Sequence, residues 1–177
     1  MNSKYFFTGF LILFSLLVGC KAEDEVDSPI YEGSDLIIGV IGKIPEVREE
    51  NVNFKSITLT ELESNVAKVS NEYDAVFIMK HYLDQAGENK FAQEYKELKI
   101  PVFFIESKKS YIPFIYDDMT YEEAPNMEDQ TYATGIISEE KDTFNYWGYG
   151  LYNDTENETN IKDVYSRIFT TIESEVK

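Results

Sequence analysis

The chain holds one histidine, His81, and one cysteine, Cys20, against 33 Asp and Glu and 16 Lys and Arg. With no second cysteine there is no disulfide, and sites built from several His and Cys ligands cannot be assembled. A Ser-His-Asp triad would have to use His81, and no G-x-S-x-G elbow exists to present a serine. What remains is a set of polar residues directly after apolar runs: Lys43 past Ile41, Lys80 and His81 past Met79, and Glu106, Ser107, Lys108 and Lys109 past Ile105. In an open parallel sheet, ligands bind beyond the carboxyl ends of the strands. If these three runs are parallel strands, the residues meet at one edge, where the lysines would form a mouth for an anion or carboxylate. His81 would add a charge that varies with pH. Lys162 is expected to lie away from that edge, on the surface of the last helix.

Other motif readings fail on spacing. Gly39-Val40-Ile41-Gly42-Lys43 suggests a phosphate loop, yet it lacks the longer glycine spacing and the Ser or Thr after Lys, and Pro45 follows where a helix should begin. It reads instead as a strand ending in a glycine turn. The acidic stretch Asp117 to Asp129 lacks the alternating ligands and central glycine of a calcium loop. Neither a metal nor a cofactor is expected.

The elements that must position the strand-end residues are legible in the periodicity. Tyr73 to Met79 and Ile100 to Ile105 are short, almost wholly apolar runs separated by a helix-length polar segment, which is the pattern of a βαβ unit whose strands are covered on both faces. Asp35 to Gly42 is a first strand of the same kind, and Asn53 to Leu59 alternates as a second. Thr60-x-x-Glu63 reads as a capping box, and Leu62, Val66 and Val69 predict a helix over Thr60 to Ser70. Phe91, Tyr95 and Leu98 predict another that Pro101 stops. Thr131 to Ser138 and Thr143 to Leu151 look like an antiparallel hairpin, and Ile161, Val164, Tyr165, Ile168 and Ile172 mark a last amphipathic helix from Asn160. Residues 107–130, aromatic and then acidic, are a candidate lid, with Tyr111 to Tyr116 above the site.

The expected fold is therefore α/β: a three-layer sandwich with a mostly parallel sheet, extended by the hairpin and closed by the C-terminal helix. Its element order resembles flavodoxin-like and Rossmann-like folds, which by itself assigns no activity. The alternative is an α+β sheet in which Asn53 to Leu59 runs antiparallel to the first strand, because only about ten residues join them and a parallel crossover usually needs a dozen or more.

At the other end, Lys4 precedes an uncharged run from Tyr5 to Val18. Its fourteen residues fall short of the roughly 20 that span a bilayer as a helix, so it reads as the apolar region of a signal peptide. The run ends in Leu17-Val18-Gly19-Cys20, which resembles the lipobox of bacterial lipoproteins. That resemblance implies a diacyl- or triacylglyceryl group on Cys20, cleavage before it, and a protein held on the extracytoplasmic face of a cell membrane. Two or more acyl chains suffice for stable anchoring. The expected organisation is a signal peptide over residues 1–19, a lipidated Cys20 with an acidic flexible tether over 20–34, and one domain over 35–177. The tether's stretch from Ala22 to Ser34, rich in Asp and Glu, could reach roughly 40 Å fully extended. The chain also resembles the short, tyrosine-rich lipoproteins of Gram-positive bacteria, a similarity that carries no activity with it.

The formal charge of −17 becomes −18 once Lys4 leaves with the signal. Such a balance argues against nucleic acid and against anionic lipid surfaces, since both demand a positive face. Membrane attachment then falls to the lipid on Cys20. Two functions stay open: a non-catalytic envelope module with a protein partner, using the exposed aromatics of the hairpin, or a small anionic-ligand receptor or enzyme using Lys43, Lys80, His81, Glu106, Ser107 and Lys108. A deep cavity at the strand ends favours the second.

Overall fold

A computed structural model describes residue 26 and residues 28–127, 131–139 and 143–175. Cys20, the signal segment and most of the tether lie outside the described residues. The sheet comprises β1 (Leu36–Ile41), β2 (Val52–Ser56), β3 (Ala75–Ile78), β4 (Val102–Ile105), β5 (Thr131–Ser138) and β6 (Phe144–Gly150) in the order β2-β1-β3-β4-β5-β6. The first four strands are parallel, and β5 and β6 form the antiparallel hairpin. The chain is thus the α/β sandwich its apolar runs predict.

The side-chain period of two divides each strand between two cores. Val76, Ile78, Val102 and Phe104 face one layer of helices, while Ile38, Val40, Phe77, Phe103 and Ile105 face the long C-terminal helix. The first layer holds α1 (Leu59–Ser64), α2 (Val66–Glu72), α3 (Leu83–Ala86), α4 (Phe91–Glu97) and α5 (Ile112–Ile115). The second is α6 (Glu158–Glu175), whose Val164, Tyr165, Ile168, Phe169 and Ile172 are all buried.

Three local points are settled. First, the expected parallel pairing of β2 with β1 holds against the α+β alternative, Leu36 pairing with Val52 and Val40 with Ser56, although residues 42–51 contain no helix. Pairing at the sheet margin asks only that this loop run back along β1, which ten extended residues can do. Second, the helix expected over Thr60 to Ser70 is two helices. The capping box forms at Thr58, not Thr60: Thr58 Oγ1 accepts from Glu61 N at 3.1 Å, and Thr58 N donates to Glu61 Oε2 at 2.8 Å. The hydrogen bonds from Thr58 hold the Glu61 carboxyl below its usual range. Starting there turns Leu59 and Leu62 into the core, and Asn65 then breaks the helix and caps the next, its Oδ1 accepting from Lys68 N at 3.1 Å.

Third, Tyr111 to Tyr116 is no roof over the strand ends, although Lys108 and Met127 of the same segment lie beside them. Phe114 stacks on Phe104 with centroids 3.5 Å apart and planes at 5°, and Phe114 and Ile115 are buried in the helical-side core. Two runs of aliphatic and aromatic side chains gain more by covering the sheet face than by standing over a polar edge. Residues 28–34, read as tether, also lie against the domain: Tyr31 is 6 % exposed and packs on Phe169 with centroids 6.0 Å apart. Among the described residues no helix is long and apolar enough to cross a membrane.

Candidate functional site

Parallel β1, β3 and β4 point their carboxyl ends one way, and the chain leaves each end by a different device. Gly42 turns out of β1 at φ 124°, where an added Cβ would meet Met79 Cβ at 2.8 Å. That backbone region favours glycine. Lys80 to Tyr82 form one 3₁₀ turn after β3, which presents Lys80 and His81 to solvent. Glu106 leaves β4 at φ 59°, an unusual conformation for a residue with a side chain. Its N–H donates to Tyr132 O at 2.6 Å, so pairing with β5 holds the backbone in that state. A strained residue at the carboxyl end of a central strand is where sites are found.

The result aims the Glu106 carboxylate across to β3, where Lys80 Nζ donates to Oε2 at 2.6 Å. That hydrogen bond raises the Lys80 ammonium above its ordinary value, helped by the Glu106 charge. The pair is half in solvent, with side-chain exposures of 56 % for Lys80 and 29 % for Glu106, so it contributes only about 0–1 kcal/mol to stability. Positioning, more than stability, is what such a pair supplies.

The pair separates two adjoining cavities. The first, about 540 Å³, is lined by Lys43, Lys80, His81 and Glu106 together with Tyr132 and Tyr165. The second, about 410 Å³, is lined by Lys80, Glu106, Lys108, Met127 and Asp154 among others. Both fall within the volumes of small-molecule sites. Of the residues expected at the edge, Lys43, Lys80, His81, Glu106 and Lys108 therefore meet there. Ser107 does not, because it is fully buried and its Oγ accepts from Lys109 N at 3.3 Å. Lys109 turns away as well, donating from Nζ to Ala124 O at 2.6 Å. It ties down the segment that covers the helical-side core.

The charge of the edge differs from expectation. The first cavity sets Lys43, Lys80 and Lys162 against Glu46, Glu106, Glu156 and Glu158, and the second sets Lys80 and Lys108 against Glu106, Asp154 and Glu156. The mouth is mixed, not cationic. The reason is the start of α6, which crosses the strand ends and brings Glu158 in its first turn, where a carboxylate favours a helix N-terminus. Lys162, expected elsewhere, lines the first cavity and hydrogen-bonds Glu158. Asn160 fixes this crossing: fully buried, its Nδ2 donates to Tyr152 O at 3.3 Å and Thr155 O at 2.9 Å.

Two tyrosines form the inner wall. Burial pushes the Tyr132 hydroxyl up to about 12, reinforced by Glu106 and Glu156, and the same cause raises Tyr165 further. Both stay neutral over the physiological range; Tyr165 hydrogen-bonds Tyr132, which leaves the Tyr132 hydroxyl to donate to a ligand oxygen. Among the described residues, no group of three or more His, Cys, Asp or Glu side chains could hold a metal ion. Neither Tyr132, Tyr165, Glu156 nor Glu158 is indicated by strand-end reasoning, because they come from β5, from α6 and from the turn before it. Comparisons with family models, with curated proteins and with solved structures find no match.

Proposed function

We propose that the protein is a lipid-anchored binding module of the cell envelope, held by Cys20 on the extracytoplasmic face. Its ligand is a small molecule bearing both an anionic and a cationic group, seated beyond the carboxyl ends of β1, β3 and β4. The observation that supports this reading is the cavity of about 540 Å³ in which the Lys80–Glu106 pair is exposed beside Lys43, Glu156 and Tyr132. A ligand carboxylate would meet Lys43 and Lys80, and a ligand amine would meet Glu106 and Glu156. A simple anion would satisfy only half of that wall and would sit beside three or more carboxylates, an arrangement that repels it.

The test is thermal stabilisation and calorimetry with a zwitterionic dipeptide, inorganic phosphate and a diamine as probes. The dipeptide is expected to bind most tightly, more weakly at high salt, and at least about tenfold more weakly in Lys80→Ala and in Glu106→Gln, the usual loss when a charged hydrogen bond is removed. Lys68→Ala, on the exposed face of α2, should bind as wild type does. Preference for phosphate over the dipeptide, or binding untouched by both cavity substitutions, would sink the zwitterion reading.

The anchor carries its own expectation. Cys20→Ala should leave the protein unprocessed or shed from membranes, while the domain keeps its fold and its ligand affinity. Fractionation with mass spectrometry of the acyl group checks it, and wild-type protein found soluble without any acyl group would remove the lipid from the proposal.

A further inference from the structure

The sheet ends on β6, whose sequence Phe144-Asn145-Tyr146-Trp147-Gly148-Tyr149-Gly150 carries no charge and no proline in a chain of net charge −17. Exposed edges normally carry charges, proline or bulges that stop a second strand from adding. Here, among the described residues, the ladder's register shift lies on the β5 side, between Thr131 and Ala133. The opposite margin, β2, has Lys55 within it.

The phase of the ladder decides which β6 groups are available. Glu139 N donates to Thr143 O at 2.9 Å, in register with the pairs Ile137↔Asn145 and Gly135↔Trp147. Residues 145, 147 and 149 thus direct their backbone groups at β5, and Phe144, Tyr146 and Gly148 direct theirs outward. Among the described residues, no backbone partner meets those three; at the end of the strand, Gly150 O accepts from Arg167 Nη2 at 2.7 Å. Tyr146 is 60 % exposed, the most of any large hydrophobic side chain among the described residues, and its ring meets Tyr111 at 4.5 Å.

We propose that β6 pairs antiparallel with β6 of a second copy about a two-fold axis at Trp147, making one continuous twelve-stranded sheet. The strand is complementary to itself in that register. Tyr146 falls opposite Gly148 of the second copy and Phe144 opposite Gly150, so each glycine, which leaves a gap on the sheet surface, is covered by an aromatic ring. Tyr146 and Gly148 turn their backbone outward, so theirs are hydrogen-bonded pairs; Phe144 also faces outward, but opposite it Gly150 O is already held by Arg167, and Trp147 meets its own equivalent in the closer, non-bonded position. No like charges come face to face along the seam, which matters for two chains this acidic. A two-fold axis normal to the sheet also keeps α6 of both copies on one side. Residues 28–31 reach each domain along α6, so the two N-terminal segments approach from that same side, as two anchors in one membrane require.

The experiment uses the full chain in detergent. Trp147→Cys places a thiol at the two-fold axis and is expected to give a disulfide-linked dimer under mild oxidation. Asn53→Cys on β2 should give no more than the background from Cys20. Alongside, Tyr146→Lys, which leaves the β5 ladder intact, should weaken the dimer about tenfold or more in sedimentation, because it sets ammonium groups over the partner's glycines. A wild type that stays monomeric to high concentration would overturn the proposal, even if Trp147→Cys fails to fold. So would a dimer indifferent to Tyr146→Lys, since its interface would lie elsewhere.

Discussion

Phe77→Ala is expected to cost about 3–5 kcal/mol, the loss usual for a large aromatic removed from a core. Phe77 is completely buried in β3 and is a junction for both the sheet and α6. Its ring meets Phe103 of β4 edge-on at 5.6 Å, and it lies nearly parallel to Phe169 at 6.2 Å and to Tyr165 at 6.0 Å. Those two α6 residues hold the helix that carries Lys162 and Glu158 into the cavity, so the loss should appear in ligand affinity as well as in stability. Phe104→Ala, equally buried on the other face against Phe114 and Tyr95, should cost a similar amount without that functional echo. Urea denaturation of both variants checks the claim. A loss below about 1 kcal/mol at either position would mean that β3 and β4 are not the centre of the sheet.

The central strands were legible because burial on both faces suppresses polar residues, leaving runs such as Ala75 to Ile78 that few other structures use. The hairpin and α6 were legible through their periods of two and of 3.6. Helix starts were not: Thr58-x-x-Glu61 and Thr60-x-x-Glu63 are both capping boxes on paper, and only the requirement that Leu59 and Leu62 reach the core decides between them. The parallel pairing of β2 was legible, though its short loop left an antiparallel alternative open; that alternative fails because loop length limits a crossover only when a helix must fit inside it.

At the candidate site, the rule that ligands lie past parallel strands found Lys43, Lys80, His81, Glu106 and Lys108. It missed every group supplied by α6 and the turn before it. No pattern in residues 152–162 states that they cross the strand ends; that follows from Asn160 and the docking of Tyr165 and Phe169, which are tertiary facts. The misjudged sign of the mouth came from the same omission. Counting only strand-end residues counts the lysines and leaves out Glu46, Glu156 and Glu158.

The second large effect is expected at Glu49, a carboxylate only 7 % exposed, which joins the N-terminal segment to α6. Glu49 accepts from Tyr31 N at 3.3 Å, from Arg48 N at 3.0 Å and from the Ser166 hydroxyl. Ser166 Oγ in turn accepts from Arg48 Nη2 at 2.6 Å, and the same guanidinium reaches Ser28 O at 3.3 Å and Pro29 O at 3.4 Å. Glu49→Ala strips the acceptor from three donors and leaves the Arg48 charge beside them; Ser166 Oγ can turn to Lys162 O, 3.2 Å away, so two backbone donors stay unpaired and a loss of about 2–6 kcal/mol is expected, at about 1–3 kcal/mol for each. Glu49→Gln keeps a carbonyl oxygen in place and should recover part of it. Amide exchange at Tyr31 separates this from general weakening, because its protection should fall further than that of β3. An unchanged Tyr31 amide in Glu49→Ala would show that the segment is held by the Tyr31 ring alone. The consequence reaches the membrane. With Val26 N donating to Asn160 Oδ1 at 3.0 Å and residues 28–34 fastened to α6, Cys20 can lie at most roughly 20 Å from the first attached residue, against the roughly 50 Å of a tether that ended at Asp35. Releasing the clip would let the domain, and the cavity with it, stand farther from the surface to which Cys20 is proposed to tie it.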